Sequence, residues 1–550
     1  MSVPPSDADA RFDRTIERWF RDRLAMEPEA ATYLGVHDHD RELSSGSRDQ
    51  VDREVAFAEQ SIVELERFDP EELSADRRLD RDLALHEARL TLFQLNERRG
   101  WAGRSDAAEH IGDAIFPLFS RDFAPLAERL ESIAARLEQA PRFIAETRTR
   151  VTDPVRLWTE IDIEGTRALP AFLDTVVAAA RAEQTDAALS ERLSKAADAT
   201  KAALDEHLAW LTDEMLPNAH ADWRAGPERF EELVRLRELE ANGDEILAVG
   251  ERMLAESKAA RNEVCGEIDP TLSPEEVADV VKDDHAPTFA EALEEYRHDM
   301  DRARSFVIEH DLATMPPHEK LIVVETPSFM RHVIPFAAYF SPAPFDPEPL
   351  GIYIVTPPET PGMMREHNRA SVSNTSVHEA YPGHHLQLSG AITNPSRVRL
   401  FARAPEFDEG WAFYCERLMK DEGFDDTPKH RYIQYTDAIW RATRIILDVQ
   451  LHRGQIGFEE AVDRLIAETG FERPAAVGEV KRYTSTPTYQ LSYLYGRHMI
   501  EQLRADVEGR MGPAFNLKFF HDTLIYGGTM PVSYARRLFD ARLSNDSPDR

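Results

Sequence analysis

The stretch SVHEAYPGHHLQ, Ser376 to Gln387, holds a His-Glu pair followed at close range by two more histidines. On a helix, a His-Glu pair with a second His four residues after the first puts both imidazoles on one face, about one turn apart. Such a face can hold a zinc ion, whose charge acidifies a water that the Glu deprotonates. Here the fourth position after His378 is Pro382, and the next histidines are His384 and His385. On an undistorted helix a spacing of six turns the side chains about 120° apart over a rise of about 9 Å, and a spacing of seven restores the angle but stretches the rise to about 10.5 Å. Neither spacing suits one ion. Pro382 lacks the N–H of the helix ladder and disfavours helical geometry at Tyr381, while Gly383 accepts backbone angles other residues avoid. A two-residue bulge there would return His384 to the face of His378. Pro-Gly also ends helices, and the competing reading leaves the histidines in a loop.

A single zinc needs a third protein ligand, and FDEGWAFYCERL supplies acids on a predicted helix. Glu409 lies 25 residues beyond His384, room for the first helix to end and an antiparallel one to return. Gly410 beside it allows close helix approach, and Asp408 could cap that helix or orient a ligand. Glu406, Asp408, Glu409 and Glu416 also read as surface acids in so acidic a chain. In TYQLSYLYGR, Tyr489 and Tyr493 are four apart on one predicted helical face, and a phenol aimed at a carbonyl under attack donates a hydrogen bond to the oxyanion. An aromatic stripe is more often core packing. Arg441, Arg444, His452 and Arg497 could take a substrate carboxylate, but pairing with acids is the preferred reading.

The elements that must position these groups are mostly helices. From about residue 8 to 315, apolar residues recur at threes and fours between charged ones, broken at MEPEA, FDPEELS and EIDPTLSPEE. Between about 320 and 363 the pattern changes to short β-branched and aromatic runs with proline, KLIVVETP, HVIPFAAYFSP and GIYIVTPPETPG, which predict a small sheet with an edge open to an extended peptide. Helical periodicity then returns. The expected organisation is a scaffold lobe over 1–318 and a catalytic region over 319–550, within one continuous unit.

At 550 residues the chain can bury a large core. No stretch approaches the roughly 18 apolar residues of a membrane span. The start, MSVPPSDADARFDR, has neither a basic leader nor an apolar run, so a cytoplasmic protein is expected. Two cysteines, Cys265 and Cys415, make no disulfide framework. A net charge of −35, from 100 acidic and 65 basic residues, argues against nucleic acid or an anionic membrane as partner. Only nine basic residues are Lys, and acidity dispersed in this way suggests a protein suited to very high salt.

HEAYPGHHLQ, EGWAFYCERL, RATRIILDVQLHRGQIGFEEAVDRLI and TPTYQLSYLYGR together resemble the family catalogued as domain of unknown function 885, as do EPEAATYLGVHDHD and the segment from TPSFMRHVIPF to GIYIVTP. That family is similar to helical zinc peptidases with a glutamate third ligand, the group of angiotensin-converting enzyme, the thimet-type oligopeptidases and the thermostable carboxypeptidases. The resemblance implies a mostly α, two-lobed zinc-peptidase-like fold with a deep cleft and a small antiparallel sheet beside the metal helix. It implies His378, His384 and Glu409 as zinc ligands, with His385 open as an alternative to His384, Glu379 as general base and Tyr493 as oxyanion donor, with Tyr489 in reserve. The expected activity is zinc-dependent hydrolysis of short, unfolded peptides, as a carboxypeptidase or an oligopeptidase. The alternatives are metal-dependent hydrolysis of a non-peptide amide and a catalytically silent helical protein that binds a metal or peptide.

Overall fold

The computed structural model describes residues 7–182, 186–327, 331, 334 and 336–545. Helix dominates, as the 3.6-residue periodicity predicts, with one small three-stranded sheet among the described residues. None of the described helices is long and apolar enough to cross a membrane. The chain divides into two compact units, Met1–Trp223 with Ala343–Pro349, and Arg224–Pro342 with Leu350–Arg550. The change in composition near residue 319 lies inside the second unit.

In the first unit, the helices Ala107–Ser120, Leu126–Arg150, Arg156–Ala182 and Ala187–Trp210 pack on one another. Leu130, Ile133, Ala134, Leu137, Ala140 and Ile144, spaced by threes and fours, form the buried stripe of the second of these. The segment Ala343–Pro349 belongs to this unit although it joins two strands of the second. It is pinned by His37, whose Nδ1 lies 2.9 Å from Asp40 Oδ2 and whose Nε2 lies 3.0 Å from Asp346 Oδ1, with the ring stacked on Phe123. Burial disfavours the imidazolium, but Asp346 and Asp40 outweigh it and raise its pKa to about 9. A histidine whose folded pKa is raised contributes stability that is complete below its unfolded value near 6.5 and is lost as pH rises through about 9. The melting-temperature gap between wild type and His37→Gln should therefore be wide at pH 7 and close by pH 10. A gap constant across that range would remove His37 as a charged clamp.

In the second unit, Gly243–Ile268 runs along Pro428–His452, where a Cβ on Gly250 would come within 2.8 Å of Ile445. The sheet comprises β1 (Leu321–Glu325), β2 (Ala337–Phe340) and β3 (Gly351–Val355) in the order β1-β3-β2. Its Val323, Tyr353 and Val355 pack with Tyr296 and Val372, which ties it to the helices Phe289–Glu309 and Arg369–Glu379. The expected antiparallel sheet is corrected to a mixed one. β2 pairs antiparallel with β3 from Ala337↔Val355 to Phe340↔Ile352, whereas β1 pairs parallel with β3 from Leu321↔Gly351 to Glu325↔Val355. Alternating composition identifies strands but carries no information on their order. Here β1 lies on the far side of β3, against Phe289–Glu309, so the first and third strands run the same way.

Candidate metal centre

The HEAYPGHH segment is neither a continuous helix with a bulge nor a loop. Arg369–Glu379 is helical, opened by the Asn368 side chain accepting from the Ser371 N–H at 2.9 Å. The chain leaves the helix at Ala380, passes a cis Tyr381–Pro382 peptide, and begins a second helix, His384–Ala391. The bulge expected at Pro382-Gly383 is thus corrected to a tight reversal between two helices. Only glycine fits its last position. A Cβ on Gly383 would stand 1.9 Å from the His378 carbonyl oxygen and 2.4 Å from that of Val377, to which the Gly383 N–H donates. Trp411 Nε1 donates to the Pro382 carbonyl at 2.8 Å, fastening the reversal to the helix Pro405–Asp421.

The reversal sets the His378 and His384 rings 4.8 Å apart and nearly perpendicular. Glu409, from Pro405–Asp421, completes the group: its Oε2 lies 3.6 Å from His378 Nε2 and 3.3 Å from His384 Nε2. One donor atom from each of the three residues falls within 4.8 Å of the other two. With bonds of about 2.0–2.1 Å, the edge of a zinc tetrahedron measures about 3.3 Å, and two imidazoles with one carboxylate leave a fourth position open. The residues present therefore fit a zinc ion. His385 points elsewhere, its Nε2 lying 3.0 Å from Glu319 Oε2 and its Nδ1 3.0 Å from the Tyr339 hydroxyl. His384, not His385, joins the cluster.

Charge at the cluster follows from these contacts. Burial opposes protonation of His378, but Glu409 and Glu416 outweigh it and raise its pKa to about 10. Burial pushes Glu409 up, yet the two imidazoles hold its carboxyl well below the usual range. The proton held on His378 is what a cation would displace, while Glu409 already offers an ionised carboxylate. Glu416 Oε1, 2.7 Å from His378 Nδ1, leaves Nε2 facing the cluster, and Glu416 also accepts from Asn374 Nδ2 at 2.8 Å. Asn374 in turn accepts from the buried Lys420 ammonium at 2.7 Å. By composition alone Glu416 reads as one more surface acid. Its place seven residues after Glu409, two turns along the same face, was the signal that could have singled it out.

Glu379 follows His378 and is half-buried, and among the described residues no donor hydrogen-bonds its carboxylate. Burial raises its pKa, against the pull of His378 and His384. Asp408 accepts from Gln387 Nε2 at 2.9 Å, and burial raises its pKa to about 7. Gly410 brings Pro405–Asp421 against Leu494–Met511, not against the histidine helix: a Cβ there would stand 2.5 Å from the Gly496 carbonyl carbon. This close approach carries the tyrosines in. They do not share a helical face as expected, because Tyr489–Leu491 is a 3-10 turn and the helix starts at Leu494. Tyr489 donates to Glu409 Oε1 at 3.2 Å, and the Tyr493 ring lies 6.4 Å from that of His378 and 6.3 Å from that of Tyr489. Arg441 and Arg444 lie 5.5 and 5.1 Å from the Tyr493 ring centre. Arg444 is held by Glu479 and Tyr483, His452 by the Tyr483 carbonyl, and Arg497 lies 3.5 Å from Glu501.

Residues 28–538 match the model of the family described as "Bacterial protein of unknown function (DUF885)". Two solved structures share the fold. A "putative lipoprotein of unknown function" from Shewanella oneidensis is 22% identical with a TM-score of 0.79, the match covering 96% of this chain and 99% of that one. A "putative lipoprotein" from Colwellia psychrerythraea is 17% identical with a TM-score of 0.82, covering 98% and 100%. No curated protein matches the chain. The cytoplasmic expectation is corrected: both structures that share the fold are described as putative lipoproteins. It rested on the first residues of the sequence, which bear on targeting only if nothing precedes them.

Proposed function

The chain belongs to the DUF885 family, and for it we propose a zinc-dependent peptidase that hydrolyses short, unfolded peptides. The observation that carries this reading is the convergence of His378, His384 and Glu409 with Glu379 next in the chain to the first of them. A zinc ion held by those three residues would supply Lewis acidity toward a carbonyl and toward water. Glu379 takes the proton of the attacking water and delivers it to the leaving amine, a role suited to a half-buried carboxylate with a raised pKa. Tyr493 donates its hydroxyl hydrogen bond to the oxyanion, and Tyr489, engaged with Glu409, is the reserve donor. The retained Glu379 favours an enzyme over a silent metal-binding protein, because a purely structural metal site needs no base beside its ligand.

Metal analysis of the purified protein, with digestion of a mixed peptide library before and after chelation, tests the reading. One zinc per chain and cleavage that stops on chelation and returns with zinc are expected. Protein without zinc refutes the metal centre, and zinc-loaded protein that cuts no peptide refutes the peptidase. Peptides blocked at either end then separate carboxypeptidase from oligopeptidase action.

A further inference from the structure

The two histidine ligands are held differently. His378 has its Nδ1 fixed by Glu416 at 2.7 Å, whereas His384 Nδ1 is buried and has no hydrogen-bond partner among the described residues. A metal-binding imidazole without such a partner needs another source of orientation. We propose that His385 is the positioning residue for His384, an inference that rests on the zinc reading above.

His385 is fully buried. Its Nε2–H donates to Glu319 Oε2 at 3.0 Å, so its Nδ1 is an acceptor, taking the Tyr339 hydroxyl at 3.0 Å and, at the longer distance of 3.3 Å, the Ser389 hydroxyl. Glu319 is itself fixed by Arg304 Nε at 2.9 Å and by the Tyr381 hydroxyl at 2.5 Å. The first turn of His384–Ala391 is thus tied on one side to Glu319, and through Glu319 to the residue that opens the reversal, and on the other to β2. By holding Tyr339, His385 also sets that ring nearly parallel to His384, at 9° and with centroids 6.3 Å apart. β3 leaves room for the pair at Gly351, where a Cβ would stand 2.5 Å from His385 Nδ1 and 3.0 Å from the Tyr339 oxygen. His385 acts on His384 through the backbone and through this wall, and it takes no part in ligation.

Zinc affinity, measured by competition with a chromophoric chelator, and the visible spectrum of the cobalt-substituted protein test this without any appeal to activity. His385→Ala should weaken zinc binding by about 10- to 100-fold and shift the cobalt spectrum. His385→Asn, which sets an amide oxygen where Nδ1 stands but has no atom to meet Glu319, should restore part of the affinity. Tyr339→Phe and Gly351→Ala, which break the same contact from its other sides, should each weaken zinc binding and keep the proposal testable if His385→Ala does not fold. Wild-type affinity in His385→Ala, Tyr339→Phe and Gly351→Ala overturns the proposal. Loss of zinc in both His385→Ala and His385→Asn as complete as in His384→Ala would make His385 a ligand and also overturns it. Wild type that binds no zinc instead overturns the metal reading on which the proposal stands.

Discussion

Glu379→Gln should lower kcat for peptide cleavage by about 10²- to 10⁴-fold, the usual contribution of a general base, while zinc stoichiometry stays at the wild-type level. The substitution keeps shape and removes only the ability to take up a proton. Two features make the expected loss large. Glu379 is adjacent to His378, so its carboxylate belongs to the same backbone reversal as the ligands. It also lacks a hydrogen-bonding donor among the described residues, so no ion pair competes for its lone pairs. Burial raises its pKa and brings it nearer the range in which a carboxylate exchanges protons efficiently. Measuring kcat and zinc content on the same preparation separates base from ligand. Cleavage within about threefold of wild type, far short of the loss a general base implies, would take Glu379 out of the reaction. A parallel loss of zinc would make its role one of holding the metal.

Gly383→Ala should cost folding stability on the order of 3 kcal/mol or more, the upper range for forced overpacking, and should abolish zinc binding. The added Cβ meets two carbonyl oxygens, at 1.9 and 2.4 Å, and both belong to the backbone of the helix that ends in His378 and Glu379. Rotation of a flexible side chain cannot relieve the clash. Relief requires the two helix ends to separate, which pulls His384 away from His378 and Glu409. Gly266→Ala is the matching control, because that glycine lies inside the helix Gly243–Ile268 with nothing within 4 Å of the added carbon. There the gain in helix propensity should stabilise the protein by about 0.5–1 kcal/mol. Thermal melts and zinc titrations of both variants provide the comparison. A Gly383→Ala protein with wild-type melting temperature and zinc content would mean that the reversal does not set the ligand geometry.

The same reversal shows how much of the site could be read in advance. Two imidazoles, a carboxylate and the Pro-Gly between the histidines stand in the sequence with a spacing that no regular helix reconciles. That mismatch pointed to a break at Pro382-Gly383, and helix geometry by itself could not say whether His384 or His385 faces Glu409. The answer lies in Glu319 and Tyr339, which are 66 and 46 residues away and occupy both nitrogens of His385. Glu416 could have been read from its spacing to Glu409 but was one of 100 acids. The spacing of four between the tyrosines suits a helix, yet Thr488 adopts a positive φ of 69°, with its N–H held by Asp448, and the chain there is a turn. Membership of the DUF885 family was legible because it resides in the residues themselves.

The predominance of helix, the existence of a small strand region and the residue types able to hold a cation follow from local pattern alone, since periodicity and side-chain chemistry are local properties. The mixed order of the strands, the two-helix form of the HEAYPGHH segment and the histidine that joins Glu409 arise from contacts made in three dimensions. Each of those depends on which distant groups fill a given volume and satisfy a given buried nitrogen or oxygen, and neighbours in the chain do not specify that.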